Sequence, residues 1–439
     1  MTLVADRRPR WGADAPAAAA LVLTLVVVWG AAKLLSVWAW VVVPAQYGDT
    51  YYYFLTAQEL ARTGGGVAGV LLEYPTPAAL LLLLPWELGA TDHEAYRQAV
   101  VVMTALADAA FALLLGRRLG PVAVLAWVGL TSALGPLVLL RFDLLPAVVA
   151  GAAVLLAMEG RRVAASVLVG LGTGLKVWPI VLFPLTLGRR DTHLPDARDT
   201  SGARSRVRRV SVAAPALGLA ATGIALVAVS LAVAGWDRLL SPLAYQRDRG
   251  LQIEAVPATL PMQAWADDPA YRVWYSTFKA YELVGPSVAG WIGVAQVAAL
   301  VGAVACVALL AWWFWRGADP RTIAWLALVL VGTFVVTSRA LSPQYLVWLA
   351  APLAVLVGFA FRGGPDAPPL GPSLVTFALG LGLCTLTTAV YPVYYDHLLQ
   401  RSPLTDRALL FLTLRNIGLL ALVAWAAACA LTVVRRRGH

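Results

Sequence analysis

The sequence predicts an all-α integral membrane protein with about twelve membrane crossings. Its 439 residues are 60% hydrophobic and only 13% charged, and the mean hydropathy is +0.74, whereas an ordinary soluble domain is about 25% charged. Many apolar runs reach the roughly 20 residues that a helix needs to cross a bilayer, and the alternation typical of a β-barrel is absent. These features exclude a water-soluble enzyme, a disordered protein and a fibrous repeat.

Arginine clusters between the apolar runs give the predicted orientation. The net charge is +10, and positive residues accumulate on the cytoplasmic side of membrane proteins. The predicted cytoplasmic segments are 7–10, 117–118, 161–162, 189–209, 316–321, 362 and 435–437. Both termini are therefore expected in the cytoplasm. Because the cations lie between apolar runs, they do not indicate nucleic-acid binding.

The crossings follow from these clusters. We predict a single domain over 1–439, with a first span at 17–43 and large outer loops at 44–96 and 235–285. The other full spans are predicted at 97–116, 121–140, 144–159, 211–234, 286–315, 321–338, 344–361, 371–391 and 406–433. The apolar segment 75–88 is short and rich in proline, so we predict an interfacial or re-entrant helix there, within the first outer loop.

A short segment between two arginine clusters needs a different explanation. Only 26 residues separate Arg162 from Arg189, and both are predicted to face the cytoplasm. Two full spans do not fit at about 1.5 Å per residue. We therefore predict a hairpin of two short helices that turns near 176–179, an arrangement tolerated at depth only inside protein or beside a polar cavity. Lys176 at this turn indicates an anion contact or a paired charge.

Charged residues on the predicted outer side are candidates for chemistry. Asp49 follows the first span and could act as a general base or be an ordinary solvated aspartate. Arg141 could hold a phosphate or pair with Asp143. Arg247 and Arg249 alternate with acids, a pattern that fits mutual neutralisation on a solvated face as well as a phosphate clamp.

Other kinds of site lack support in the sequence. The four histidines have no zinc-binding spacing, and no nucleotide-binding loop or hydrolase motif is present. Lys33 and Asp108 lie inside predicted spans, where internal pairing or cavity lining is expected rather than catalysis.

The order of several short motifs resembles a known family. An acid opens the first outer loop at Asp49, and the later motifs are Glu-Tyr-Pro-Thr-Pro at 73–77, Arg-Phe-Asp at 141–143, the hairpin at 172–179 and Ser-Pro-Gln-Tyr at 342–345. From about residue 20 to 430, this arrangement resembles the GT-C superfamily of membrane glycosyltransferases. It is most similar to glycosyltransferase family 87, the polyprenol-phosphate-mannose-dependent mannosyltransferases, and the segment 249–254 resembles its bacterial members.

The resemblance implies an inverting glycosyltransferase of the bacterial plasma membrane. Such an enzyme moves a sugar, here mannose, from a polyprenyl-phosphate carrier to a glycolipid or glycan of the cell envelope on the extracytoplasmic face. Asp49 matches the catalytic base by position. The candidates for binding the donor phosphate are Lys176, Arg141, Arg247 and Arg249. The other candidates for substrate contacts are Tyr51, Glu73, Tyr74, Asp143, Glu254, Arg339 and Gln344.

The resemblance also bears on cofactors and alternatives. The lipid-linked sugar is a substrate, and no cofactor is expected. Related oligosaccharyltransferases place a metal ligand in the turn that corresponds to Asp143, but their two-acid motif is not reproduced near Asp49, so no essential metal is expected. The alternatives are transfer of arabinofuranose or another pentose, a transporter or flippase for a lipid-linked sugar, an envelope polymerase or ligase that uses a lipid diphosphate, and a membrane subunit without catalysis.

Overall fold

The computed structural model describes residues 15–42, 48–188 and 212–435. The predicted cytoplasmic segments 7–10 and 189–209, most of 435–437, and the start of the first outer loop lie outside these ranges. Within them the chain is mostly helical, which confirms the predicted fold class.

Sixteen α-helices run through the described residues. In chain order they are α1 (Ala15–Val42), α2 (Gly48–Thr63), α3 (Thr76–Glu87), α4 (His93–Leu119), α5 (Pro121–Ala133), α6 (Leu137–Leu140), α7 (Leu144–Met158), α8 (Arg162–Leu175), α9 (Ala213–Asp248), α10 (Thr259–Asp267), α11 (Val288–Trp315), α12 (Ile323–Thr337), α13 (Leu346–Arg362), α14 (Leu370–Thr388), α15 (Asp396–Leu399) and α16 (Thr405–Arg435). Eight helical segments are long and apolar enough to cross a membrane, and four apolar helices are shorter. The total of about twelve crossings stays a prediction.

Two predicted spans have different boundaries in the structure. The predicted span 121–140 is broken between α5 and α6, where Gly135 has a φ of 65° and is followed by Pro136. Helix α9 continues past 234 to its end at Asp248, with non-helical backbone at Gly235, whose φ is 77°. Both breaks use a glycine, which adopts positive φ without steric cost.

The predicted hairpin is confirmed. Helix α8 packs against a 3-10 helix, Trp178–Leu187, which returns along it. Arg162, at the start of α8, donates hydrogen bonds to the carbonyl oxygens of Leu187 at 3.1 Å and Gly188 at 2.8 Å. The two ends of the hairpin therefore meet, and Lys176 lies at the turn between its legs.

The core of the fold is built around α13, which is buried along nearly its whole length and packs against α5 and α7. Glycine permits these close crossings, because a Cβ on Gly151 would lie 2.6 Å from the Ala351 side chain, and a Cβ on Gly358 would lie 2.6 Å from that of Ala123. Helices α1, α9 and α11 instead expose many large apolar side chains, as expected of helices that face lipid.

A small antiparallel sheet lies within the segment 235–285, the predicted second outer loop, and was not predicted. Its strands are β1 (Leu251–Gln252), β2 (Arg272–Tyr275) and β3 (Tyr281–Val284), in the order β1-β3-β2. The strands β2 and β3 are rich in valine and aromatic residues, which favour extended backbone. They form a hairpin in which Tyr275 pairs with Tyr281.

Candidate active site

A first ion pair joins Asp49 and Arg141. Asp49 lies in the first turn of α2, where the helix dipole favours a carboxylate, and its side chain is 28% exposed against 10% for Arg141. Tyr53 donates a hydrogen bond to Asp49 Oδ2 at 3.4 Å, and Arg141 donates to the hydroxyl of Tyr391 at 3.2 Å. The local ion pair between Arg141 and Asp143, which the sequence left open, is not formed.

A second ion pair joins Lys176 and Asp143, whose Nζ and Oδ1 atoms lie 2.6 Å apart. The indole of Trp348 donates to the same Oδ1 at 3.0 Å. Lys176 Nζ also lies 5.3–5.4 Å from the ring centres of Tyr74, Tyr345 and Trp348, a distance that gives cation–π attraction. Asp143 is fully buried, and its Oδ2 has no hydrogen-bond partner among the described residues. This oxygen is therefore a buried acceptor that no described residue satisfies.

Two tyrosines connect the ion pairs. The hydroxyls of Tyr53 and Tyr74 lie 2.6 Å apart, so that Tyr53 reaches Asp49 while the Tyr74 ring faces Lys176. Burial is the main cause that raises the pKa of both phenols, and the charge of Asp49 adds to it. Both hydroxyls therefore stay protonated. We call Asp49, Arg141, Asp143 and Lys176 the four-charge cluster.

Glu73 lies beside this cluster and is a second titratable group there. The Tyr52 hydroxyl donates to Glu73 Oε2 at 3.4 Å. Burial raises the pKa of Glu73, and the charge of Asp49 adds a smaller contribution in the same direction. Glu73 therefore holds a proton at higher pH than an exposed glutamate does.

A tight gap beside the cluster, too narrow to hold a water molecule, has Arg141 and Gln344 among its lining residues. Its other walls are apolar and consist of Leu134, Leu137, Val138, Leu144 and Val347. The side-chain oxygen of Gln344 is buried without a hydrogen-bond partner in the described part of the chain. Gln344 therefore has a free acceptor near the four-charge cluster.

Two predicted site residues lie outside the cluster. Glu254 is fully buried and forms an ion pair with Arg415 of α16 at 2.8 Å. Arg247 is 78% exposed, and its Nε donates to the adjacent Asp248 at 3.0 Å. No hydrogen bond or ion pair joins either residue to the cluster within the ranges described. Substrate binding by Glu254 and phosphate binding by Arg247 stay predictions, and the ion pairs of both residues lie outside the four-charge cluster.

Three further predicted residues make contacts outside the four-charge cluster. Arg339 donates to backbone carbonyl oxygens at the end of α9, a structural contact. The guanidinium of Arg249 lies 5.9 Å from the Tyr245 ring centre, and its buried Nε has no hydrogen-bond partner among the described residues. Tyr51 is half-exposed and packs edge-on against His93 at 5.0 Å. Of these, Arg249 has a buried side-chain donor that no described residue satisfies.

Sequence reasoning missed the aromatic partners of the charged groups. Tyr345, Trp348 and Tyr391 contact Lys176 or Arg141, and none was predicted at the site. Each lies at or near the predicted outer end of a span, on the same side as the acid and base candidates. Aromatic residues at the outer ends of spans could therefore have indicated these contacts from the sequence.

The acidic residues do not form an evident metal site. In the described ranges, no group of three or more His, Cys, Asp or Glu side chains is arranged to hold a metal ion. The expectation that no metal is essential stays a prediction.

Comparison with known proteins gives one match. A family model described as glycosyltransferase family 87 matches residues 73–343, which is more than half of the chain. The matched range contains Glu73, Arg141, Asp143 and Lys176 and begins after Asp49. No curated protein and no solved structure matched the chain.

Proposed function

The chain belongs to glycosyltransferase family 87, and from this premise we propose that it moves a sugar from a polyprenyl phosphate to a hydroxyl of a cell-envelope glycolipid or glycan. Mannose is the first choice for the sugar, and a pentose such as arabinofuranose is the second. Transfer takes place on the extracytoplasmic face of the plasma membrane with inversion at the anomeric carbon. The observation that carries the proposal is the four-charge cluster, in which an accessible carboxylate lies beside two cations.

Asp49 is the general base of the proposed reaction. Its carboxylate is partly exposed, whereas Asp143 is fully buried. Asp49 takes the proton of the acceptor hydroxyl as the hydroxyl oxygen attacks the anomeric carbon. Attack from the face opposite the phosphate gives inversion. The electrons of the broken carbon–oxygen bond leave with the lipid phosphate.

Arg141 and Lys176 stabilise that leaving group. Negative charge grows on the phosphate as the bond breaks, and cations already in place lower the energy of this state. Arg141 can exchange its bond to Asp49 for a bond to phosphate oxygens, because a guanidinium binds phosphate in a two-pronged manner. Lys176, which is held by the protein's own Asp143, serves as a fixed point charge.

A transfer assay tests this function. The purified protein in lipid nanodiscs is given polyprenyl-phosphate mannose or polyprenyl-phosphate arabinofuranose together with a cell-envelope glycolipid fraction. We expect Asp49→Asn to lower kcat by about 10²–10⁴-fold, the range that general base catalysis contributes. Asp396→Asn is the control, because Asp396 is an exposed aspartate in the first turn of the short helix α15.

Two results would count against the proposal. Full turnover by folded Asp49→Asn protein contradicts the assignment of the base. No product from either carrier, with folded wild-type protein, contradicts the donor class.

A further inference from the structure

A row of tyrosines leads from the outer hairpin to the four-charge cluster. Tyr275 and Tyr281 are register partners in β2 and β3, so their side chains share one face of the sheet, with ring centres 5.1 Å apart. Tyr281 contacts Tyr395 at 6.0 Å, and Tyr395 contacts Tyr391 at 4.9 Å. The Tyr391 hydroxyl then accepts a hydrogen bond from Arg141 at 3.2 Å.

The outer end of this row is accessible from solvent. Tyr275 is 53% exposed, and Tyr281 and Tyr391 are partly exposed. Partial burial raises the pKa of Tyr275, and the charge of Asp49 is the next largest cause. The hairpin ring therefore lies within electrostatic reach of the proposed base, which agrees with the chain of ring contacts.

We propose that Tyr275 and Tyr281 form a platform that binds the acceptor, and that the group bound there is a sugar ring. This inference rests on the proposed function and assigns the place on the protein where the sugar ring of the acceptor binds. A sugar ring has an apolar C–H face and a hydroxyl-bearing rim. A tyrosine ring offers a rigid apolar surface with a polar tip. The ring can therefore cover the C–H face of the sugar, and its hydroxyl can form a hydrogen bond to a sugar hydroxyl.

The platform acts by positioning the acceptor. A sugar ring on the exposed face of Tyr275 lies at the outer end of the tyrosine row that leads to Arg141, and in the proposal one of its hydroxyls reaches the Asp49 carboxylate. Holding two reactants in the correct geometry lowers the entropic cost of their reaction. Tyr275 takes no part in bond making. Loss of its ring is therefore expected to raise the KM of the acceptor and leave the KM of the lipid donor unchanged.

Binding can be measured without turnover. Saturation-transfer difference NMR on the protein in nanodiscs uses methyl α-mannopyranoside, methyl α-arabinofuranoside and an α-linked mannotriose as probes. We expect at least one probe to receive saturation at its ring C–H protons. Tyr275→Ala should weaken that binding by about three- to tenfold, the effect of one aromatic contact, whereas Tyr275→Phe keeps the ring and most of the affinity.

Trp274→Ala is the matched control. Trp274 is the preceding residue of β2, is also about half-exposed and pairs with Glu282, so that its side chain points to the opposite face of the sheet. The Trp274→Ala variant should bind every probe with the affinity of the wild type. Equal loss in Trp274→Ala and Tyr275→Ala would show a general effect on the hairpin and would overturn the platform.

Failure of this inference differs from failure of the proposed function. If no probe binds, or if Tyr275→Ala binds as the wild type does, the platform is wrong even when lipid-donor turnover is present. If the probes bind through Tyr275 but no polyprenyl-phosphate donor is turned over, the donor class is wrong and the carbohydrate platform stands. Glycosylation of a serine- or threonine-bearing peptide with a KM insensitive to Tyr275→Ala would also overturn the platform.

Discussion

Two buried lysine–aspartate pairs differ in how many of their carboxylate oxygens accept a hydrogen bond. Lys33 of α1 lies 3.1 Å from Asp108 of α4 and also donates to Thr131 of α5 at 2.8 Å. Both carboxylate oxygens of Asp108 accept an indole N–H, one from Trp29 and one from Trp127. This network is closed and ties three helices together.

The pair of Lys176 and Asp143 has the same outline but is incomplete. Trp348 donates to Asp143 Oδ1 at 3.0 Å, just as Trp127 donates to Asp108 Oδ1 at 3.0 Å. The second oxygen of Asp143, however, has no partner in the described part of the chain. A satisfied buried pair fixes the packing of helices, whereas an unsatisfied one leaves polar capacity for a substrate. If the proposed function is correct, the same chemical pair has two different uses in this fold.

Removal of both charges from each pair should give the largest contrast. Lys176→Met with Asp143→Asn is expected to lower kcat/KM by at least about 100-fold, because a cation at the leaving phosphate is lost. Lys33→Met with Asp108→Asn should stay within about threefold of the wild type, since no charge is left unpaired. Transfer assays measure both, with the melting temperature as the test of folding. Equal losses of activity in the two double variants would contradict the idea that only the Lys176–Asp143 pair serves the reaction.

Breaking the closed pair on one side should mainly affect stability. Lys33→Met leaves the Asp108 charge buried without its cation, which is expected to cost about 3–5 kcal/mol. Denaturant unfolding in detergent micelles measures this loss. Adding Asp108→Asn should recover most of it. A double variant no more stable than the single one would show that the pair is not the cause.

The two indole donors provide a finer comparison. Trp348→Phe and Trp127→Phe each keep a ring and lose one N–H bond to a carboxylate, worth about 1.5–3 kcal/mol. We expect both to lower the melting temperature, but only Trp348→Phe to lower kcat/KM, by about tenfold, because Asp143 then holds Lys176 less firmly. Unchanged kinetics in both variants would mean that Trp348 does not position Lys176.

The smallest effect is expected from the pH dependence of Glu73. Burial raises its pKa above the ordinary 4.5, so the folded protein holds this proton more tightly than the unfolded chain. The stability gained is full below about pH 4.5 and is lost as pH rises through the folded-state pKa. Over this pH range the melting temperature of the wild type should fall more steeply with pH than that of Glu73→Gln. Parallel curves of melting temperature against pH for the two proteins would contradict the raised pKa of Glu73.

Features set by local length and charge could be predicted from the sequence. The hairpin around Lys176 followed from the 26 residues between two arginine clusters, and the structure confirms it. Lys33 and Asp108 were predicted to pair or line a cavity, because a lone charge in an apolar span is costly, and they do pair.

Contacts between distant segments could not be predicted. Asp143 is two residues from Arg141, yet Arg141 binds Asp49 instead. Glu254 finds its partner Arg415 at a separation of 161 residues. Spacing and hydropathy place such residues on one side of a membrane but carry no information about which loops meet. The tyrosine row from the hairpin escaped prediction for the same reason.

The guanidinium of Arg141 forms an ion pair with the Asp49 carboxylate. An acceptor that arrives first therefore meets a base whose oxygen is already bound. A carrier phosphate that attracts Arg141 would release that oxygen at the moment the sugar is in place. On the proposed mechanism we therefore expect sequential, ordered kinetics, with the lipid carrier entering before the molecule that receives its sugar.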